Sequence, residues 1–273
     1  MILRGSVFSE VLDMETGLTV ITPSEIRRGA RPQVAYVLHG LNAGNGSWSE
    51  CSMLPAYAQD YNVVFVMPEV GRSYYVDMRF GQKFFSYVAD ELPEICAEVF
   101  NISSAREDTA VIGASMGGYG ALKCALTRPE RFGMCCAFSS GSLYLRELVA
   151  RLQKIGWDKV ETIMGPQRVA DYRAMLGPDM TVRPEDELAD VAKAAATAVG
   201  QPRFYAACGT RDPFHKPNLR FRDDMRGLGF DYEYEEWDGE HDWEFFNAAL
   251  LRGLRFCFGA GEKKVISVFM PQD

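Results

Sequence analysis

Residues Gly113-Ala114-Ser115-Met116-Gly117 fit the pattern G-x-S-x-G. In that pattern a serine sits on a sharp turn between a strand and a helix, with its hydroxyl pushed outward. A serine hydroxyl is a poor nucleophile until a base takes its proton. The chemistry to look for is therefore acyl transfer by a serine, a base and an acid that orients the base. The chain holds 3 His, so the choice of base is short. His39 precedes the serine and ends an apolar run, His215 follows Asp212 closely, and His241 lies in the turn Asp238-Gly239-Glu240-His241. The order expected with G-x-S-x-G is serine, then Asp or Glu, then His on a late loop. His241 fits that order. His215 leaves too little chain after Asp212 for acid and base to end different strands.

Asp212 is the expected acid, just past the apolar run Arg203–Cys208 and one strand before His241. Asp238 shares the His241 turn and reads as a turn former. Asp223 and Asp224 fall in a helical stretch and read as solvated. An oxyanion hole needs two N–H groups aimed at the developing charge. The expected donors are the N–H of Met116, directly after the serine, and the N–H of Leu41 in His39-Gly40-Leu41. Trp48, Tyr75 and Trp243, with Tyr74 and Met116, are the candidates to line an acyl or alcohol pocket.

These residues must be carried by strands and helices. Gln33–Leu38, Asn62–Met67, Asp108–Ile112, Gly133–Phe138 and Arg203–Cys208 are short apolar runs that read as strands covered on both faces. Gly5–Val11 and Gly17–Thr22 predict a hairpin turning at Met14–Gly17. Phe230–Trp237 alternates Tyr with Glu and reads as a strand toward an edge. A last strand is expected at Val265–Phe269, and Glu25–Pro32 reads as a loop. Helices are expected at Ser49–Ala58 with Ser49 as N-cap, Lys83–Phe100, Ala121–Leu126, Leu143–Gln153, Glu187–Val199, Lys216–Leu228 and Asp242–Phe256. Tyr144–Asp190 reads as an insertion over one end of the sheet, within a single domain spanning the chain. Strands alternating with helices predict a mainly parallel sheet with helices on both faces. The hairpin would extend it in antiparallel fashion.

The 273 residues carry a formal net charge of −8, with 47% hydrophobic and 24% charged. That acidity argues against nucleic acid or an anionic membrane surface as partner. There are 7 Cys, an odd number, with no C-x-x-C pair. They read as buried free thiols in a reducing compartment rather than a disulfide framework or zinc site. MILRGSVFSEVLD lacks the apolar core of a secretory leader, and no apolar run reaches membrane-span length. A cytoplasmic protein is expected. A homo-oligomer is compatible with the sequence.

The chain resembles the esterase D-like family of esterases, most closely its bacterial tributyrin-esterase branch. YVLHGLNAGNGSW, VVFVMPEVGRSYYVD, AVIGASMGGYGALKCAL, FYAACGTRD, FHKPNLRFRDDMRGLGF and GEHDWEFF carry the resemblance, in family order from Tyr36 to Phe246. It implies the α/β-hydrolase fold and a Ser-Asp-His triad that falls on Ser115, Asp212 and His241. It implies oxyanion donors at Leu41 and Met116; such a serine mechanism needs no cofactor, and no metal site is expected. YYVDM departs from the Trp-Tyr form more usual in that loop, and Tyr144–Asp190 is the stretch with least to match. The expectation is a serine carboxylesterase for short acyl groups on a small-molecule or carbohydrate alcohol, acetylated or feruloylated sugars among them. An acyltransferase or an S-formylglutathione thioesterase would use the same site. A non-catalytic binding protein would be marked by a lost nucleophile, base or acid, and all three positions are filled.

Overall fold

The apolar runs become strands of one sheet in the computed structural model, which describes residues 1–23 and 31–261. β1 (Ile2–Ser9) and β2 (Met14–Ile21) form an antiparallel hairpin. They are followed by β3 (Gln33–Leu38), β4 (Val63–Pro68), β5 (Thr109–Ala114), β6 (Met134–Phe138), β7 (Arg203–Gly209) and β8 (Tyr232–Trp237). Their order across the sheet is β1-β2-β4-β3-β5-β6-β7-β8. β2 joins β4 antiparallel, and every pairing from β4 to β8 is parallel. The expected parallel sheet with an antiparallel hairpin at one side is what forms.

Helices fill the connections. α1 (Ser47–Cys51) and α2 (Leu54–Tyr57) follow β3, and α3 (Phe84–Ser86) and α4 (Leu92–Phe100) follow β4. α5 (Met116–Thr127) follows β5. α6 (Leu145–Ile155), α7 (Trp157–Met164), α8 (Pro166–Leu176) and α9 (Leu188–Ala195) lie between β6 and β7. α10 (His215–Gly227) follows β7, and α11 (Trp243–Phe258) follows β8. Side chains alternate between the two faces of each strand. On β3, Val34, Tyr36 and Leu38 join a core with α4, α5 and α6, while Ala35 and Val37 join a second core with Trp48, Leu54 and α11. Both faces are covered, which is why the strand reads as a continuous apolar run.

Local expectations differ from this fold in several places. The hairpin turns at residues 10–13, not at Met14–Gly17, because Ser9 pairs with Met14. Asp13 takes φ 52°, a left-handed conformation that Asp tolerates in turns without glycine. The helix expected at Ser49–Ala58 is two short helices, with Gly46 as the N-cap of the first. Ser49 lies inside α1, its Oγ donating to the Gly46 carbonyl at 2.7 Å. A π turn at Tyr87–Glu91 joins α3 to α4, so the stretch expected as one helix bulges at its centre. The strand expected at Val265–Phe269 and most of the loop expected at Glu25–Pro32 lie outside the described residues. All seven cysteines are free, six buried and Cys51 exposed. Among the described residues no helix is long and apolar enough to cross a membrane.

One buried ion pair ties the helix behind Ser115 to the segment before α9. Lys123, on α5, reaches Asp186 at 2.5 Å, with both side chains almost wholly buried. Burial pushes the Lys123 ammonium down from its usual range, against the pull of Asp186. Arg183 Nε donates to the other Asp186 oxygen at 2.7 Å, and the Tyr119 hydroxyl donates to the Asp186 carbonyl at 2.6 Å. Removing one partner of such a pair leaves an uncompensated buried charge. Lys123→Met should lower unfolding free energy by about 3 kcal/mol, measured by urea denaturation. An unchanged midpoint would show that Arg183 alone neutralises Asp186.

Candidate active site

Strand register brings the chemistry-bearing loops to one edge of the sheet. Leu38 pairs with Gly113, Ala114 with Phe138, Phe138 with Ala207, and Gly209 with Trp237. The carboxyl ends of β3 and of β5 to β8 therefore lie level, where open α/β sheets gather their ligands.

Ser115 takes φ 58° and ψ −119° between β5 and α5. This left-handed backbone is strained for any residue with a Cβ. Four hydrogen bonds hold it. The Ser115 N–H donates to the Phe138 carbonyl at 2.9 Å, and its own carbonyl accepts from the N–H groups of Gly118, Tyr119 and Gly141. The flanking glycines are required by contact. A Cβ at Gly113 would lie 2.1 Å from the Gly117 carbonyl oxygen, and one at Gly117 would lie 2.2 Å from that of Leu38. Glycine at these two positions lets strand, helix and the end of β3 pass this closely.

His241 bridges the other two predicted residues. Its Nε2 lies 3.0 Å from Ser115 Oγ, and its Nδ1 lies 2.8 Å from Asp212 Oδ2. The Asp212 side chain is fully buried, and its second oxygen accepts the Phe214 N–H at 2.7 Å. Burial alone would raise the Asp212 pKa. Hydrogen bonds from His241 and the Phe214 N–H outweigh it and hold the carboxyl below its ordinary value. An ionised carboxylate only accepts, so Nδ1 carries a proton, and in the neutral ring Nε2 is free to accept from the serine hydroxyl. Phe214 and Phe246 pack edge-on against the imidazole, each with ring centres 5.1 Å away. Directly after His241, Asp242 caps α11 by accepting the Phe245 N–H at 2.9 Å. The other histidines and acids are placed elsewhere. His215 contacts Glu236, Asp238 pairs with Arg211, Asp223 pairs with Arg222, and Asp224 accepts from Tyr144.

The loop after β3 packs against the serine. A Cβ built on Gly40 would sit 3.7 Å from Ser115 Cβ. His39 is buried, with Nδ1 2.8 Å from the Gly40 carbonyl. A carbonyl can only accept, so Nδ1 donates there in any protonation state. Carbonyl and N–H of one trans peptide point in opposite directions, so the Leu41 N–H points away from the His39 ring. The N–H of Met116 opens α5 and has no carbonyl one turn back within the helix. Glu69 lies 3.3 Å from His39 Nε2 and accepts the N–H groups of Asn45 and Gly71. Burial works against its ionisation, but His39 and these N–H donors bring its pKa down to about 2. Neither His39 nor Glu69 carries a sequence signal for this role, because their contact joins the ends of two separate strands.

The aromatic candidates divide. Trp48 is 1% exposed and Tyr75 0%, so neither presents surface to a ligand. Both serve the loop instead. Trp48 Nε1 donates to the Leu38 carbonyl at 2.9 Å, and the Tyr75 hydroxyl donates to the His39 carbonyl at 3.0 Å. Tyr74 is buried on Tyr172, and the Met116 side chain is buried too. Trp243 is half-buried at the start of α11, edge-on to Trp48 and Phe246. Of the aromatic candidates, it alone keeps open surface beside His241.

Comparison with known proteins places the fold and the family. An acetyl esterase of Caldicellulosiruptor saccharolyticus is 30% identical over 223 residues, covering 81% of each chain. The solved structure of fluorophosphonate-binding serine hydrolase F of Staphylococcus aureus superposes with a TM-score of 0.81 at 24% identity, covering 94% of this chain and 98% of that one. An S-formylglutathione hydrolase from Staphylococcus aureus superposes at 0.79 with 24% identity and the same coverage. These likenesses establish the α/β-hydrolase fold. A family model described as "Putative esterase" matches residues 9–257, and the chain belongs to that family of carboxylic ester hydrolases.

Proposed function

We propose that the chain is a serine carboxylesterase for short acyl groups, acting through Ser115, His241 and Asp212. The observation that carries this reading is the His241 ring, spanning from the Ser115 hydroxyl to the Asp212 carboxylate at hydrogen-bond distance on both sides. Ser115 Oγ attacks the ester carbonyl while His241 Nε2 takes its proton. The proton is then given to the leaving alcohol, and a tetrahedral intermediate collapses to an acyl-enzyme. Water, deprotonated by the same nitrogen, releases the acid. The N–H groups of Leu41 and Met116 stabilise the oxyanion in each half. Short acyl groups, acetyl first, are supported by the likeness to an acetyl esterase. A thioester reading, hydrolysis of S-formylglutathione, is supported by the S-formylglutathione hydrolase among the similar structures. The relative kcat/KM on that thioester and on p-nitrophenyl acetate separates the two. A cytoplasmic location is supported by the unpaired thiols.

Ser115→Ala should lower kcat on p-nitrophenyl acetate by about 10⁶-fold and abolish labelling by a fluorophosphonate. Near-normal turnover would remove the nucleophile from the proposal. Asp212→Asn keeps the shape but permits the wrong imidazole tautomer, so kcat should fall about 10⁴-fold with KM little changed. The same substitution has a signature in stability. A carboxyl with a depressed folded pKa stabilises above its unfolded value, about 3.9, and that contribution is lost as pH falls through the folded value. The gap in melting temperature between wild type and Asp212→Asn should therefore be full at pH 6 and narrow as pH falls below about 4. A gap independent of pH would show that ionised Asp212 contributes nothing to the fold.

A further inference from the structure

The Leu41 loop is joined to α8 through one guanidinium. Arg72 lies on the loop after β4, between Glu69 and Tyr75. Its Nε donates to Asp171 Oδ2 at 2.9 Å, and its Nη2 lies 2.8 Å from the same oxygen. Its Nη1 donates to Asn42 Oδ1 at 2.8 Å and to the Leu41 carbonyl at 3.4 Å. Asp171 belongs to α8, and its side chain is only 4% exposed. The other Asp171 oxygen accepts from Gln167 at 2.9 Å. A buried carboxylate without its cation is costly, so the Arg72 side chain is held where α8 puts it. The guanidinium is a rigid planar fork, and fixing one edge fixes the other. A second contact seats α8 on the same loop, where Tyr74 stacks on Tyr172 and accepts from Arg168 at 2.7 Å.

Three successive carbonyls of the Leu41 loop are thus held by side chains. That of His39 accepts from Tyr75, that of Gly40 from His39, and that of Leu41 from Arg72. The first two contacts belong to the core beneath the sheet edge. The third alone passes through α8. We infer that Arg72 is a positioning residue for ester hydrolysis. It clamps Leu41 and Asn42 so that the Leu41 N–H meets the oxyanion, and it makes that placement depend on how α8 is seated. The inference rests on the role proposed above for the Leu41 N–H. Arg72 touches no reacting atom. Its effect is confined to a donor used in the transition state, so it acts on kcat rather than on substrate affinity.

Two variants test this with p-nitrophenyl acetate and with a trifluoromethyl ketone that mimics the tetrahedral intermediate. Arg72→Lys keeps a cation for Asp171 but cannot span both partners. Its kcat should fall about 10- to 100-fold, the scale of a misplaced catalytic group, with KM within about twofold. Inhibition by the ketone should weaken by the same factor. Asn42→Ala removes an exposed acceptor and leaves the Arg72–Asp171 pair intact. It should show a smaller loss in kcat, again at constant KM, with an unchanged melting temperature. Unchanged kcat in both variants overturns the inference, as does a rise in KM at constant kcat, which would make Arg72 a substrate contact. Ser115→Ala, assayed alongside, separates the two levels. If it retains turnover, the proposed site fails. If it is inactive while both other variants match wild type, only the role of Arg72 fails.

Discussion

One backbone torsion organises the molecule. With φ at +58°, Ser115 stands in a conformation that costs about 1–3 kcal/mol for a residue with a side chain. It persists because the surroundings over-determine it. The N–H is taken by β6, the carbonyl by three N–H donors, and the two glycines remove the atoms that would collide with helix and strand. Once β5 must turn this sharply into α5, the hydroxyl faces the level ends of the neighbouring strands. A helix whose first residue, Met116, has no carbonyl one turn back for its N–H then begins directly behind the serine. The chemistry follows from the turn, and the turn follows from packing that no single contact could supply.

The polar groups around it divide into the pair proposed to move protons and those that hold shape. In the proposed mechanism His241 and Asp212 serve proton transfer, with a buried carboxylate fixing which nitrogen carries hydrogen. His39 and Glu69 sit on the opposite side of the serine in a superficially similar pairing. There the imidazole points its Nδ1 at the carbonyl of its own neighbour, Gly40, and so sets the direction of a peptide. The same side-chain types thus serve two ends, and the partner of Nδ1 decides which. A carboxylate there makes a base, and a backbone carbonyl makes a brace.

Much of this was legible in the residues. The order of G-x-S-x-G, Asp212 and His241 along alternating apolar runs carried both fold and candidate triad, because each sits directly after a strand that the periodicity marks. What the sequence hid was orientation. Trp48 and Tyr75 have the composition of a ligand pocket, yet both turn inward to hold carbonyls of Leu38 and His39. Residue type alone does not say which side of a loop faces solvent. Arg72 and Asp171 are far apart in sequence and lie on a loop and a helix with no shared period, so nothing local announced their contact. The hairpin turn was shifted because Asp13, not a glycine, takes the left-handed position.

The distribution of thiols has a practical consequence. Burial pushes the thiols of Cys96, Cys124 and Cys208 up to about 12, and those of Cys135 and Cys136 well above their usual range. The thiolate is the reactive form, so burial disfavours reaction at these sulfurs. Cys51 is exposed on the short helix that follows the Leu41 loop. A maleimide dye would therefore reach the exposed Cys51 first, on the same helix as Trp48, without any cysteine being engineered in. The chain thus carries its own spectroscopic address on the helix that follows the Leu41 loop.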